Sequence, residues 1–152
     1  MASYANDYQT GVENEKIVYD LLKKAKIFKK LKQSEDRYCK YDFYNKKYEI
    51  ELKTRNNRYH VYPTTLMPVS KAQREKKHKK TIIFMFKFEA QTKDLKKDIY
   101  YIKYDEDVFK KFKIISFKRK SRIGKIDCYD EYYEIPIKKL TCFYELELFG
   151  CN

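Results

Sequence analysis

Glycine and proline, the residues that most often interrupt regular structure, are scarce: 152 residues contain three of each. This scarcity excludes collagen-like, glycine-linker and proline-rich architectures. Four cysteines are present, but none forms a CxxC pair and neither histidine is near them, so their spacing does not favour a zinc site. No apolar run approaches the roughly 20 residues of a membrane-spanning helix, and the N-terminus lacks the apolar core of a signal peptide. We therefore expect a soluble, intracellular protein of the cytoplasm, nucleus or nucleoid that is neither secreted nor membrane-bound.

Positive charge and aromatic side chains are abundant instead. Lysine and arginine number 35 against 22 acidic residues, a net charge of +13, and 16 tyrosines and 10 phenylalanines supply the bulk of a core. The length predicts a single domain of residues 1–152. A surface this positive attracts polyanions through counterion release. Lysine outnumbers arginine by 29 to 6, however, which an AT-rich coding genome also produces, so the charge alone does not identify a partner.

Hydrophobic periodicity predicts an α/β (α+β) fold with helices flanking a central mixed sheet. Apolar residues recur at helical spacing over residues 12–26, and they alternate with charged residues over 48–54 as in a strand. The nearly continuous apolar run at 81–88 predicts a strand that is covered on both faces. Further strands are predicted at residues 37–43, 98–104, 114–117, 125–129 and 132–137, further helices at 69–80 and 105–112, a turn at 44–47 and a loop at 55–68.

Acidic and basic residues on two predicted neighbouring strands form the candidate site. Glu51 and Lys53 share one face of a strand, because side chains at i and i+2 point the same way, while Leu52 points into the core. The turn before this strand brings Asp42 alongside Glu51. Two carboxylates this close repel unless a cation lies between them, and Mg²⁺ suits such a pair because it takes hard oxygen ligands. An exposed sheet face with alternating Glu and Lys would have the same pattern, and that alternative stays open.

The order of elements and motifs resembles the PD-(D/E)xK nuclease superfamily, whose restriction-endonuclease-like fold includes archaeal Holliday-junction resolvases. Asp42 stands in Tyr41-Asp42-Phe43, and Glu51-Leu52-Lys53 follows nine residues after it. The Gly-x-x-x-Glu of the family's resolvases corresponds to Gly11 and Glu15, with Glu13 as second choice for the acid. The likeness covers residues 8–105 and leaves 106–152 as a C-terminal extension. Tyr41 stands where many members have proline.

The resemblance implies a core of order α-β-β-β-α-β and a metal-dependent DNA nuclease that hydrolyses phosphodiester bonds. Asp42, Glu51, Glu15 and the main-chain carbonyl of Leu52 would hold Mg²⁺, for which Mn²⁺ can substitute. Lys53 would position or activate the attacking water. Some members recruit a polar residue from the second helix, and Gln73 or Lys71 would take that part here. Glu49, on the face of Glu51, is either an outer residue of the site or a salt-bridge partner.

Basic residues outside the motif are candidates for nucleic-acid contact. They are Arg55 and Arg58 after the motif, Lys71 and Arg74 on the predicted second helix, and Arg119 and Arg122 in the basic run 118–122. For each of them, a merely solvated surface is the alternative. The partner implied is DNA, with RNA not excluded, and cleavage of a junction would use a homodimer with two symmetric sites. The alternative function is a non-catalytic basic module for nucleic-acid binding or nucleoprotein assembly.

Overall fold

The computed structural model describes residues 4–36, 38–119 and 128–145. A long helix, α1 (Tyr4–Lys24), comes first, and strands and a short helix, α2 (Glu106–Phe109), follow. The strands are β1 (Lys32–Gln33), β2 (Phe43–Tyr44), β3 (Tyr48–Thr54), β4 (Thr64–Pro68), β5 (Thr81–Lys87), β6 (Ile99–Lys103), β7 (Lys113–Arg119), β8 (Cys128–Pro136) and β9 (Thr141–Cys142). The predicted residue 122 and most of the predicted strand 125–129 lie outside the described residues.

The described strands form two sheets. The larger has the order β1-β2-β3-β5-β6-β9 and is mixed, because β3 and β5 run parallel while their other neighbours are antiparallel. The smaller is antiparallel, with the order β4-β8-β7. The predicted α/β fold with a mixed sheet is therefore confirmed.

The helix α1 covers one face of the six-stranded sheet. Its buried residues Val18 and Leu22 pack against Ile50 and Leu52 of β3 and against Ile83 of β5. The two β3 residues are two apart in sequence, so they share a face by the alternation of a strand. The residues between and beside them point to the other side, away from α1.

The second face of the sheet is covered by the C-terminal part of the described chain. Phe84 and Phe86 of β5 pack with Ile135 of β8 and Phe109 of α2. Burial on both faces of β5 confirms the prediction from its apolar run. The segment that the resemblance treats as an extension therefore contributes a layer of the core.

The predicted helix at 69–80 is wrong. A single 3₁₀ turn, Val69–Ala72, follows β4, and at Gln73 the backbone becomes extended. Basic residues dominate this segment, and like charges three or four apart on a helix repel. Its side chains are used instead for ion pairs with acids on β3. The predicted order α-β-β-β-α-β is thus altered, because only a 3₁₀ turn stands where the second helix was expected and the additional strand β4 precedes it.

Other boundaries also differ from the sequence predictions. The helix α1 begins at Tyr4 rather than at residue 12. The prediction missed its first turns because they are polar and show no apolar residues at helical spacing. The predicted loop 55–68 contains β4, and the predicted strand 37–43 is reduced to its end, where β2 begins at Phe43. Among the described residues, no helix combines the length and apolarity needed to span a membrane.

Candidate active site

Strand β3 sorts its side chains between core and site. Ile50 and Leu52 are buried against α1, whereas Glu49, Glu51 and Lys53 point to the opposite face. The Lys53 ammonium lies 3.0 Å from Oε1 of Glu51. The prediction that Glu51 and Lys53 emerge together, with Leu52 in the core, is confirmed.

Asp42 comes level with Glu51 through the β2–β3 pairing. Phe43 pairs with Ile50, so Asp42, one residue before β2, is opposite Glu51. Because β2 begins only at Phe43, no strand of the described residues pairs with residues 51–54 of β3 on that side, which we call the open edge. There the Leu52 N–H donates to Oδ2 of Asp42 at 2.8 Å. Burial, followed by the negative charge of Glu51, raises the pKa of Asp42 to about 7. The predicted approach of Asp42 to Glu51 is thus seen in the strand register and in the effect of the Glu51 charge on Asp42.

The carboxylate of Glu51 is the centre of the site. It is only 3% exposed, and its Oε1 accepts from two ammonium groups, Lys53 at 3.0 Å and Lys71 at 3.2 Å. Its other oxygen, Oε2, is buried, and no hydrogen-bond donor within the described ranges reaches it. One oxygen of this side chain is therefore doubly paired while the other is left without a partner.

Lys71 is held in place by a second set of ion pairs. Glu49, also 3% exposed, receives Arg74 Nε on its Oε1 at 3.2 Å and is in contact with Nε2 of His78. Nη1 of the same Arg74 donates to the main-chain carbonyl of Lys71 at 2.8 Å. The buried acid Glu49 thus ties down the segment that carries Lys71. His78 was not predicted, although two acids on a covered strand face imply cations from elsewhere in the chain.

Glu15 approaches the site from α1. It lines the same cleft as Asp42, and its negative charge adds to the upward shift of the Asp42 pKa. Gln33 of β1 donates to its Oε1 at 3.0 Å. Glu13 is exposed and accepts from Gln9 on the outer side of the helix. Of the two acids offered by the sequence, Glu15 is the one that faces the cleft.

The cleft has a volume of about 410 Å³ and lies at the open edge of β3. It combines acidic groups, a lysine and the glycine of the first helix. Its lining includes Gly11, Glu15, Asp42, Glu51, Lys53 and Asn56. Of the auxiliary candidates, Gln73 does not line this cleft; the residue is exposed, and its carbonyl accepts from Lys40.

The fit of a divalent metal rests on two carboxylates rather than three. Within residues 4–36, 38–119 and 128–145, no group of three or more His, Cys, Asp and Glu side chains is arranged to hold a metal ion. Asp42 and Glu51 nevertheless offer hard oxygen donors, one of them the buried Oε2 without a partner. Mg²⁺ is commonly bound by one or two carboxylates and keeps several waters, so the donor set fits. The Leu52 carbonyl belongs to the same open stretch of β3, whose N–H at Leu52 already points to Asp42.

The predicted nucleic-acid contacts separate into internal and exposed side chains. Arg55 donates to the hydroxyl of Thr65 at 3.0 Å and to the carbonyl of Leu66, and burial lowers the pKa of its guanidinium. Arg74 is engaged with Glu49, as described above. Arg58 is exposed. Of the two predicted contacts in the basic run 118–122, Arg119 is the last residue of β7 and Arg122 lies outside the described residues.

No protein-family model matches the chain, and neither a curated protein nor a solved structure matches it. The site must therefore be interpreted from its own geometry.

Proposed function

We propose that the protein is a metal-dependent nuclease that hydrolyses phosphodiester bonds, with DNA as its substrate. One observation carries the proposal. The buried carboxylate of Glu51 is bound by two lysines on one oxygen, has no partner among the described residues on the other, and lies beside Asp42, whose pKa is about 7. Acids, lysines and an unsatisfied oxygen meet in one cleft at an open strand edge.

This arrangement costs stability, which a purely structural ion pair would avoid. A buried acceptor without a donor costs about 1–3 kcal/mol, and burying Asp42 beside another carboxylate raises its pKa. Ionisable groups with such shifts cluster at functional sites because catalysis needs them there. A cation bound between Asp42 and Glu51 would remove both costs.

Each residue has a separate part in the proposed hydrolysis. Asp42, Glu51 and the Leu52 carbonyl would hold a divalent metal, which supplies a Lewis acid for the phosphate and lowers the pKa of bound water. The ammonium of Lys53 would orient the attacking water towards phosphorus. Lys71, fixed beside it, would stabilise the negative charge that develops on the phosphate oxygens. Glu15 would hold water at the acidic edge of the cleft.

The proposal includes a restriction-endonuclease-like core and a relation to the PD-(D/E)xK superfamily. It is supported by α1, by a hairpin that carries Asp42 and Glu51-Leu52-Lys53, and by β5 parallel to β3. The chain departs from the superfamily's order in the connection between β3 and β5, which contains β4 and a 3₁₀ turn instead of a helix. A junction-resolvase-like specificity and a homodimer belong to the same proposal.

Cleavage by purified protein tests the proposal. Plasmid, four-way junction and single-stranded DNA are incubated with Mg²⁺, Mn²⁺ or EDTA, with the wild type beside Glu51→Gln and Lys53→Met. We expect metal-dependent cleavage that falls at least about 100-fold in both variants. Asp107→Asn, which breaks an exposed ion pair with Lys110, is the matched control and retains full activity. No cleavage of any substrate with either metal would favour the non-catalytic binding module, and full activity in Glu51→Gln would refute the site.

A further inference from the structure

A second cleft, of about 820 Å³, lies beside the acidic one. Three tyrosines line it, Tyr19, Tyr41 and Tyr44, together with the polar segment that begins at β1. The proposed hydrolysis uses none of these aromatic rings. We refer to this space as the tyrosine cleft.

The tyrosine cleft and the acidic cleft share a wall. Gln33 lines the tyrosine cleft, and its side-chain amide donates to Glu15 in the acidic cleft at 3.0 Å. Ser34, also in the lining, donates its N–H to the carbonyl of Asp42 at 2.8 Å, and Tyr41 directly precedes Asp42. A ligand whose phosphate lies at Asp42 therefore has the tyrosine cleft as an adjacent pocket.

Tyr41 and Tyr44, the two tyrosines closest to Asp42 in sequence, each have one cation near the ring. The rings of Tyr41 and Tyr44 have centroids 5.6 Å apart, and both side chains are partly exposed. The guanidinium of Arg74 lies 5.9 Å from the Tyr41 ring, and the ammonium of Lys80 lies 5.5 Å from the Tyr44 ring. Partly exposed rings with a cation nearby are typical of surfaces on which unpaired bases stack, and Lys80 is the cation placed to meet a phosphate, because Arg74 is already paired with Glu49.

The polar lining favours a base over a phosphate within the cleft. Glu35 and Asp36 line it together with Lys32. The two carboxylates outnumber the one ammonium, so they disfavour phosphate, and they accept hydrogen bonds from the amino groups of bases. The pKa of Tyr41 is raised to about 12, first by its hydrogen bond with Cys39, so its phenol stays neutral. The cleft thus combines neutral aromatic faces with hydrogen-bond acceptors.

We propose that the tyrosine cleft binds an unpaired nucleobase next to the phosphate that is cleaved. The substrate is then single-stranded, or branched with unpaired nucleotides at the cut, and an intact duplex is a poor one. A paired base does not expose its face to a protein ring until it leaves the stack. The placement beside the cleaved phosphate rests on the proposed nuclease function, whereas the binding of the base does not require cleavage.

Binding measured in EDTA isolates the base site from catalysis. Fluorescence anisotropy with a labelled single strand and with the duplex of the same sequence is recorded for the wild type, Tyr41→Ala, Tyr44→Ala and Tyr41→Phe. We expect each alanine variant to weaken single-strand binding roughly 5- to 100-fold and duplex binding less than about twofold, and Tyr41→Phe to retain wild-type affinity. Tyr62→Ala is the control, because Tyr62 is 59% exposed and does not line the cleft. Thermal melting verifies that each variant is folded, and Tyr41→Leu replaces Tyr41→Ala if the latter is not.

The outcomes separate the two proposals. Equal losses on single strand and duplex, or no loss in folded Tyr41 and Tyr44 variants, would overturn the base site even if the protein cleaves DNA. Loss confined to the single strand, in a protein that cleaves nothing with Mg²⁺ or Mn²⁺, would support the base site and overturn the nuclease.

Discussion

The ammonium of Lys71 lies 3.2 Å from Oε1 of Glu51, although nineteen residues of chain separate them. The two meet because the chain leaves β3, forms β4 in the other sheet, and returns through the 3₁₀ turn over the face of β3. Lys53 contacts the same oxygen from the strand itself. The charge around Glu51 is thus supplied by one local and one distant lysine.

Replacing Lys71 tests whether the distant lysine contributes to hydrolysis. Lys71→Met keeps much of the aliphatic stem but removes the charge, so we expect the single-turnover cleavage rate to fall about 100-fold, with Lys71→Arg falling less. Lys76→Met, at an exposed lysine of the same segment, should leave the rate unchanged. Equal effects of Lys71→Met and Lys76→Met would mean that Lys71 acts only through the overall charge.

The raised pKa of Asp42 predicts a dependence of stability on pH. A carboxyl whose folded-state pKa lies near 7 stabilises the fold in its protonated form, and this contribution is lost as the pH rises from about 4 through 7. The side-chain amide of the Asp42→Asn variant does not ionise, so the unfolding free energy of this variant relative to the wild type should grow by roughly 2–4 kcal/mol between pH 4 and pH 8. Urea unfolding in EDTA measures this difference. A difference that stays constant across this range would contradict the shift, and Asp107→Asn, at an exposed acid, is the control variant.

Glu49 is expected to stabilise the segment that bears Lys71. Glu49→Gln removes the charge that Arg74 and His78 share, which leaves a buried guanidinium without its counter-ion. Breaking a buried ion pair in this way costs about 3–5 kcal/mol, measurable by urea unfolding. Glu75→Gln, on an exposed acid of the same segment, should cost less than about 0.5 kcal/mol. Similar values for the two variants would show that the Glu49 contacts contribute little.

We expect Arg55 to contribute to folding stability and Arg58 to contribute to DNA binding. Arg55→Met removes hydrogen bonds to Thr65 and Leu66, so it should lower the unfolding free energy by about 1–3 kcal/mol and leave the salt dependence of DNA binding unchanged. Arg58→Ala should leave stability unchanged and reduce the slope of log K against log salt by about 1, since the exposed Arg58 is expected to meet a phosphate. Denaturation and DNA titration at several salt concentrations measure both. A smaller salt slope in Arg55→Met would reverse the internal assignment.

The hairpin and the buried strand were predictable because their information is local. The alternation at 48–54 identifies the core and site faces of β3, and the apolar run at 81–88 identifies β5 as doubly covered. The position of Asp42 followed from the short turn between the strands. For Asp42, Glu51 and Lys53, neighbours in sequence are neighbours in space.

The segment 69–80 was mispredicted because its conformation depends on distant acids. Its composition suits a helix, but the ion pairs from Arg74 to Glu49 and from Lys71 to Glu51, and the contact of His78 with Glu49, exist only once β3 is formed and covered. Likewise, the sequence predicts Arg55 as a DNA contact, but in the folded chain its guanidinium donates to Thr65 and Leu66 instead.

Local sequence was thus sufficient for the fold class, for β3 and β5, and for the pair of acids, since a strand's two-residue period and a short turn fix those positions. It was also sufficient for the large positive charge, which is a matter of composition. Tertiary packing was needed to select which of 35 cationic residues reach Glu49 and Glu51, and which remain on the surface. The physical reason is that the attraction between two charges depends on the distance between them in space and not on their separation in sequence. A buried carboxylate therefore pairs with the cation that the crossover brings within about 3 Å, wherever that cation lies in the chain.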